Sequence, residues 1–328
     1  MIKPPLFSDI VDAASHLAGN AVHTPLLDCP AASRLCGGRV LIKPEMLQRT
    51  GSFKFRGAYN LISRLSPDQQ SRGIVAYSSG NHAQAVAAVA QQLHIPATIV
   101  MPADAPQLKL TATRDYGAEI VLYDRFGESR EDIAARLVAE SGATLVPPFD
   151  HPLIIAGQGT VGLEIAEDLA ARDLMPDVVV VPCGGGGLIS GTSIALKQAH
   201  AGISIYAAEP AGFDDTTRSL KSGNRETVAD SARSICDALL SPTPGEITFA
   251  INRENLAGGV VVTDDQAKQA MAFAYRHLKL VVEPGGAVAL AAVLNGLVDC
   301  RDKTVITVCS GGNVDPEMFQ EALAGAAA

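Results

Sequence analysis

The sequence predicts an α/β fold with parallel sheets covered by helices on both faces. Short apolar runs rich in valine and isoleucine alternate with helical patterns over most of the chain. These runs lack the apolar–polar alternation of a strand with one face in water, which indicates strands buried on both sides. Several runs end in glycine-rich polar loops. Open α/β sheets bind ligands at the carboxyl ends of their strands, so these loops are candidate binding segments.

The predicted strands and helices follow a regular order. Three strand–helix units come first: GIVAY (73–77) before NHAQAVAAVAQQL, ATIVM (97–101) before APQLKLTATRDYG, and EIVLYD (119–124) before ESREDIAARLVAESG. DVVVVP (177–182) then precedes a glycine loop and the helix LISGTSIALKQAH. The remaining predicted strands are SIYAAE (204–209), VVVTD (260–264) and TVITVC (304–309), with a helix over 265–278.

Two domains are predicted from the places where this regular pattern stops. The three compact units are preceded by a loop-rich region around 44–57 and followed by a proline-rich stretch, VPPFDHPL (146–153). We infer a small domain, 66–148, inserted into a large domain formed by 1–65 and 149–328. A ligand is expected in the cleft between them.

Composition and charge argue against several classes of protein. The net charge is −9, from 26 basic and 35 acidic residues without a basic stripe, so we expect no nucleic-acid partner. No apolar run reaches the ~18 residues of a membrane span. The N-terminus is not signal-like, so we expect a cytoplasmic protein without a membrane partner. Six cysteines show no zinc spacing and are expected to be free thiols.

The segment PCGGGGLISG (182–191) is the first motif that could bind a ligand. Four consecutive glycines follow an apolar strand and open a helix: Gly184, Gly185, Gly186 and Gly187. Without Cβ atoms, their amides can converge on an oxyanion, and the helix N-terminus adds partial positive charge. A tight strand–helix turn is the alternative, but such a turn rarely needs four glycines. The loop therefore predicts a phosphate site.

Two further polar loops follow predicted strands. SSGNHAQA (78–85) begins a helix, so its amides and hydroxyls could bind a carboxylate. Its histidine, His82, would by itself more often have a structural role. CSGGN (309–313) places a hydroxyl at the carboxyl-terminal edge of the sheet.

Lys54 lies between two phenylalanines in SFKFRGA (52–58). Burying an ammonium costs several kcal/mol unless the group is paired or neutral. A lysine whose stem covers apolar surface is one interpretation, and a charge on a helix surface is another. The third is a desolvated amine that acts as a nucleophile. A reactive lysine together with a phosphate loop suggests a phosphorylated aldehyde cofactor held as a Schiff base.

Five motifs in this order resemble the fold-type II pyridoxal-phosphate enzymes: SFKFRGA, SSGNHAQA, CGGGGLISG, VEPGGAVALA and CSGGN. The resemblance is to the serine/threonine dehydratase and serine racemase branch and runs from about Thr24 to Asn313. It implies the tryptophan synthase β-like fold, with two three-layer domains built on parallel sheets. It also implies pyridoxal 5'-phosphate as cofactor, a small amino acid as substrate and a homodimer.

The resemblance assigns cofactor contacts to particular residues. Lys54 looks like the lysine that binds the cofactor covalently, and Phe53 resembles the aromatic residue packed against the pyridine ring. Asn81 matches the asparagine that hydrogen-bonds the ring 3-hydroxyl, and Ser310 matches the hydroxyl facing the pyridine nitrogen. The four glycines match the phosphate loop. Glu283 is similar to an acid near the substrate and the ring.

Substrate contacts are implied in the same way. Ser79, Gly80, Asn81 and His82 match the loop that grips the substrate carboxylate. Racemases have a serine at the position of Ser79, acting as an acid/base opposite the lysine, whereas biosynthetic threonine dehydratases tend to have alanine. A hydroxyl that only binds carboxylate is the alternative for Ser79. For Arg130, an i, i+4 ion pair on the helix surface is the default interpretation. In racemase-like relatives, an arginine similarly placed approaches the distal end of the substrate, and such a guanidinium would suit a β-carboxylate.

The segment EPAGFDD (209–215) resembles a divalent-cation site of the racemase-like branch. Glu209 and Asp215 would supply carboxylates, and Phe213 would supply a backbone carbonyl. Mg²⁺ and Ca²⁺ prefer such oxygen ligands. A solvated acidic loop is the alternative.

The expected function is dehydration of a β-hydroxy-α-amino acid, threonine or serine, to a 2-oxo acid and ammonia. A threo-3-hydroxyaspartate ammonia-lyase and an amino-acid racemase with side elimination are alternatives with the same cofactor. Two other classes are a non-catalytic binding protein and a β-replacement enzyme. The intact Lys54 argues against the first, and the SFKFRGA and EPAGFDD segments argue against the second.

Overall fold

The structure is a computed structural model that describes residues 3–78, 80–105, 107–124 and 127–325. The described chain forms two sheets, each with helices packed on both faces. The α/β class predicted from the apolar runs is confirmed. Among these residues, no helix combines the length and the apolar character that crossing a membrane requires. The six cysteines are free thiols.

The strands are short, as is usual for an α/β protein. In chain order they are β1 (Leu27–Asp28), β2 (Arg39–Pro44), β3 (Ile74–Tyr77), β4 (Ala97–Pro102), β5 (Glu119–Tyr123), β6 (Thr144–Leu145), β7 (Val178–Pro182), β8 (Ser204–Pro210), β9 (Gly258–Val262) and β10 (Thr304–Cys309).

The helices vary from one and a half to five and a half turns. They are α1 (Phe7–Leu17), α2 (Pro30–Cys36), α3 (Lys54–Ile62), α4 (Pro67–Arg72), α5 (Asn81–Leu93), α6 (Gln107–Asp115), α7 (Arg130–Ser141), α8 (Pro152–Ala171), α9 (Gly187–Ala199), α10 (Asp215–Ser222), α11 (Glu246–Asn255), α12 (Asp264–Leu278), α13 (Pro284–Leu294) and α14 (Pro316–Gly325).

The larger sheet has the strand order β1-β2-β10-β7-β8-β9, and the smaller has the order β5-β4-β3-β6. All neighbouring strands pair in parallel except β1, which is antiparallel to β2. Because parallel strands share one direction, their carboxyl ends lie along one edge of each sheet. The loops after β3, β7 and β10 therefore start from such edges.

Both faces of the larger sheet are buried, which explains the missing polar alternation. Val178 and Val180 of β7 pack in a core with α12 and α13, whereas Val179 and Val181 pack in a second core with α8 and α9. A strand that buries alternate residues in two different cores must be apolar at every position. The smaller sheet repeats this arrangement with α5 on one face and α7 on the other.

Three strands are absent from the sequence prediction: β1, β2 and β6. Two of them have only two residues each, too few to show a period. β2 is apolar and buried, but it adjoins the loop-rich region and was not recognised as a strand. The domain boundaries at 66 and 148 stay a prediction; all four strands of the smaller sheet lie between them.

Candidate active site

A pocket of about 240 Å³ lies where loops from both sheets meet. The loop after β3 contributes Ser78, Gly80, Asn81 and His82; the loop after β7 contributes the four glycines; and Ser310 follows β10. Phe53 and Lys54 enter at the start of α3. The structure thus brings together four segments, and the loops after β3, β7 and β10 are more than a hundred residues from one another in sequence. Ser79 lies outside the described residues.

Lys54 is the first residue of α3, and its amine borders the pocket. Its Nζ donates a hydrogen bond to the Pro148 carbonyl at 2.8 Å and lies 5.1 Å from the centroid of the Phe53 ring. Burial lowers the pKa of Lys54 to about 8, against the opposing charge of Glu283. A substantial fraction of this amine is therefore neutral near pH 8, as a nucleophile requires.

The glycine loop runs from the end of β7 into the first turn of α9. Within the described residues, the amides of Gly184, Gly185, Gly186 and Gly187 donate to no other group of the chain. Gly186 has a φ of +96°, which favours glycine, and a Cβ on Gly185 would lie 2.4 Å from the Phe149 ring. Free amides at a helix N-terminus fit an anion such as a phosphate.

Asn81 is held in place from two sides at the N-terminus of α5. Its Nδ2 donates to Glu283 Oε1 at 2.5 Å, and its Oδ1 accepts from Asn313 Nδ2 at 2.8 Å. Burial and the charge of Asp237 raise the pKa of Glu283 to about 8, while Lys109, Asn81 and Lys54 oppose the shift. The Glu283 carboxyl therefore takes up a proton at a higher pH than an exposed glutamate does. It reaches the pocket through Asn81, which keeps a second N–H for a ligand.

His82 makes a structural contact at the N-terminus of α5 and also lines the pocket. Burial and the Lys54 charge lower its pKa to about 3, so the ring is neutral. Its Nε2 lies 2.9 Å from the Val146 carbonyl, which can only accept, so the proton is assigned to Nε2. This contact fastens the loop after β3 to the segment that follows β6.

Arg130 begins α7 and lines the pocket. Its guanidinium carbon lies 5.3 Å from the centroid of the Tyr77 ring, and its Nε donates to Glu131 Oε1 at 2.9 Å. Among the described residues, the ion pair of Arg130 is with the adjacent Glu131, whereas an i, i+4 surface pair was the default expectation. A guanidinium stacked on an aromatic ring at the pocket wall can bind a carboxylate.

Two charged lining residues were missed by the sequence analysis. Lys109, from α6, forms an ion pair with Asp237, which lies in the 3₁₀ helix Asp237–Leu239. Lys109 belongs to a polar helical stretch that resembles a solvated face, and Asp237 lies in a loop without a motif. No local signal distinguishes either residue, because 128 positions separate the two partners.

A comparison with protein-family models matches residues 18–311 to the family described as pyridoxal-phosphate dependent enzyme. The chain belongs to this family. The resemblance inferred from the five motifs is confirmed, and pyridoxal-phosphate dependence follows from it.

Relatives of this pyridoxal-phosphate dependent enzyme share most of its length. An L-threo-3-hydroxyaspartate ammonia-lyase of Saccharomyces cerevisiae is 40% identical over 98% of this chain and 97% of its own. An L-threonine ammonia-lyase of Thermotoga maritima is 43% identical over 95% of this chain and 76% of its own. The structure of maize serine racemase superimposes with a TM-score of 0.91 at 36% identity, over 98% of this chain and 97% of that chain.

The pocket of this enzyme fits pyridoxal phosphate, a phosphorylated aldehyde. The free amides of the glycine loop could hold the phosphate, and Lys54 could bind the aldehyde carbon. Phe53 and Ser310 border the same space, in line with their predicted contacts to the ring and to its nitrogen. Asn81 has one N–H left for the ring hydroxyl.

The predicted cation ligands do not line the pocket and extend from the end of β8 to the first residue of α10. Glu209 accepts hydrogen bonds from the Thr216 amide at 2.8 Å, from the Thr217 amide at 2.7 Å and from the Thr217 hydroxyl at 2.6 Å. Both carboxylate oxygens of Asp215 are buried without a hydrogen-bond partner in the described part of the chain. Burial and the neighbouring Glu209 raise the pKa of Asp215 to about 8.

In the described part of the chain, the predicted ligand set has two carboxylates but lacks the usual cluster of ligand side chains. Phe213, whose carbonyl was predicted to contribute, is buried in the turn between β8 and α10. Among the described residues, no group of three or more His, Cys, Asp or Glu side chains could hold a metal ion. A cation here would need backbone carbonyls or waters to complete its shell.

Proposed function

We propose that this chain is an ammonia-lyase that converts a β-hydroxy-α-amino acid into a 2-oxo acid and ammonia. The single observation that carries the proposal is the Lys54 amine, whose pKa is lowered to about 8 at a pocket with an anion loop. Relatives named as ammonia-lyases for threonine and for 3-hydroxyaspartate, at 40–43% identity, support the same reaction class.

The chain's own groups have separate tasks in this reaction. Bound pyridoxal phosphate supplies an electron sink that acidifies the Cα–H bond of the substrate. Lys54 Nζ is placed to take the Cα proton, because part of the amine is neutral at neutral pH. Ser310 offers the ring nitrogen a hydroxyl instead of a carboxylate, so it does not favour a protonated nitrogen. The Cα proton and the β-hydroxyl together leave as one water, and an enamine remains. The enamine tautomerises to an imine, which one water hydrolyses to the 2-oxo acid and ammonia.

The favoured substrate is a threo-3-hydroxyaspartate, with threonine and serine as alternatives. All three carry an α-carboxylate, which the amides at the N-terminus of α5 suit. Only hydroxyaspartate carries a second carboxylate, and Arg130 supplies a cation for it at the pocket wall. L-threo-3-hydroxyaspartate ammonia-lyases from Saccharomyces cerevisiae and a Pseudomonas species, 40% and 42% identical to this chain, support this preference.

The test is an assay of the purified holoenzyme with L-serine, L-threonine and both 3-hydroxyaspartate diastereomers. We expect oxaloacetate from the threo compound at the highest kcat/KM, and slower formation of 2-oxo acids from threonine and serine. Ammonia must appear in equal amount. Absence of 2-oxo acid from all four compounds would overturn the proposed reaction.

A racemase is the second candidate function. Serine racemases of Schizosaccharomyces pombe and Dictyostelium discoideum are 35% and 40% identical to this chain. Ser79 is the residue on which this candidate depends. Measuring D-amino acid in the same incubations separates the two activities, because elimination produces none.

We also propose a divalent cation, Mg²⁺ or Ca²⁺, bound by Glu209 and Asp215 with the Phe213 carbonyl. The buried and unpartnered carboxylate of Asp215 supports it, since an uncompensated buried charge is costly. The homodimer and the cytoplasmic location stay predictions. Light scattering and cell fractionation test them.

A further inference from the structure

Lys109 is a buried cation to which the proposed reaction gives no task. Its side chain is 7% exposed and lines the pocket. In the part of the chain that the structure describes, its ammonium makes one ion pair, with Asp237 Oδ2. An ammonium carries three N–H donors, so two remain for whatever fills the pocket. Burying a cation with two unmet donors is costly unless a ligand meets them.

The ammonium lies beside the loop that begins α5. A Cβ built on Gly80 would lie 3.6 Å from Lys109 Nζ, and Gly80 is the residue that precedes the first turn of α5. The amides of this turn have no partner within the helix. A carboxylate bound there would meet the helix N-terminus and the Lys109 ammonium together.

Asp237 fixes the position of Lys109 from the other wall of the pocket. Lys109 belongs to α6, which packs with the smaller sheet, whereas Asp237 lies in the segment between α10 and α11 of the larger one. Burial works against the charged form of Lys109, but Asp237, Glu283 and Asp315 together raise its pKa. The amine therefore stays a cation over the working pH range.

We propose that Lys109 is a substrate-binding residue that shares the α-carboxylate with the N-terminus of α5, and that Asp237 is the positioning residue holding its ammonium there. The proposal rests on the proposed function for the identity of the ligand, an α-amino acid. Lys109 then binds every substrate, because each has an α-carboxylate. Arg130 acts only on a substrate with a second one.

The test measures binding to the holoenzyme by calorimetry, with L-alanine and L-alaninamide as probes. Alanine has no β-hydroxyl to eliminate, and the amide has an NH2 group in place of one carboxylate oxygen and carries no negative charge there. Lys109→Met should weaken alanine binding by at least about tenfold, the range for a hydrogen bond to a charged group, and alter alaninamide binding by less than about twofold. Lys109→Arg, which keeps the charge, should retain most of the alanine affinity.

Asp237→Asn tests the positioning role, because it keeps the shape of the side chain and removes its charge. It should weaken alanine binding by several-fold and leave alaninamide binding unchanged. A general structural role would weaken both probes equally. Melting curves by circular dichroism confirm that each variant is folded; should Lys109→Met not fold, Lys109→Arg and Asp237→Asn carry the test.

Two results would overturn the assignment. One is alanine binding to Lys109→Met as tight as to the wild type, and the other is equal loss of both probes in Asp237→Asn. Neither of these binding results depends on catalytic turnover. A wild-type enzyme that binds alanine but forms no 2-oxo acid refutes the proposed reaction and leaves the role of Lys109 intact.

Discussion

Replacing Arg130 by methionine tests whether the pocket recognises a second carboxylate. Methionine keeps much of the aliphatic volume and removes the guanidinium. We expect the ratio of kcat/KM for threo-3-hydroxyaspartate to that for threonine to fall. The ratio is the informative quantity, because it cancels effects on cofactor binding and on the chemical step that both substrates share.

The magnitude follows from the surroundings of Arg130. A hydrogen bond between charged groups is worth about 1.5–3 kcal/mol, and a bidentate guanidinium–carboxylate pair lies in the upper part of that range. The Arg130 side chain is 33% exposed and already donates to Glu131, so water and a competing carboxylate reduce the gain. About 1–2 kcal/mol remains, which corresponds to a fall of about 5- to 30-fold in the ratio.

The assay follows 2-oxo acid release from both substrates at several concentrations. Arg136→Met is the matched control, since it removes the same charge from an exposed position on the same helix. Arg130→Lys should recover only part of the ratio, because an ammonium lacks the planar fork of donors. A ratio within twofold of the wild type in Arg130→Met would refute a β-carboxylate contact at this residue.

Three further predictions concern cofactor loading on Lys54, the acid/base role of Ser79 on the face opposite Lys54, and the divalent cation. The rate at which apoenzyme binds pyridoxal phosphate should rise with pH and level off above about 8, the pKa of Lys54, because only the neutral amine attacks. A rate that continues to rise up to pH 10.5 would contradict the lowered pKa. Lys54→Ala should abolish covalent loading of the cofactor, as measured by mass spectrometry. Ser79→Ala should suppress D-amino acid formation while elimination stays measurable; equal loss of both activities argues against an acid/base opposite the lysine. If a cation is bound, Asp215→Asn and a chelator should each lower the melting temperature. A higher melting temperature for Asp215→Asn would instead indicate that the carboxylate is uncompensated, since removing it relieves a desolvation cost.

Much of the candidate site was predictable because its motifs are local. The glycines at 184–187 and the loop at 78–82 follow apolar strands, and the carboxyl ends of parallel strands carry such loops to a shared edge. The apolar neighbours of Lys54 made it a candidate with three interpretations, and the resemblance implied the reactive one. The structure then brings these segments around one pocket, as the resemblance implied.

Other site features could not be read along the chain. Glu283 bonds Asn81 across 202 positions, and Lys109 pairs with Asp237 across 128. The residues around one member of such a pair do not indicate where in the sequence its partner lies. The lowered pKa of Lys54 likewise depends on burial, which exists only once α3 has packed into place.

The apolar runs and the loop motifs predicted the fold class and three candidate binding loops, because strand burial and loop composition depend on neighbouring residues. Which charged and polar groups meet at or beside the pocket depends on the folded arrangement: Arg130 lies over Tyr77, Lys109 pairs with Asp237, and Asn81 bonds Glu283. The physical reason is that electrostatic interactions depend on distance in space and on burial. Packing of the two sheets sets these distances and the degree of burial, and neither can be read from a short segment of the chain.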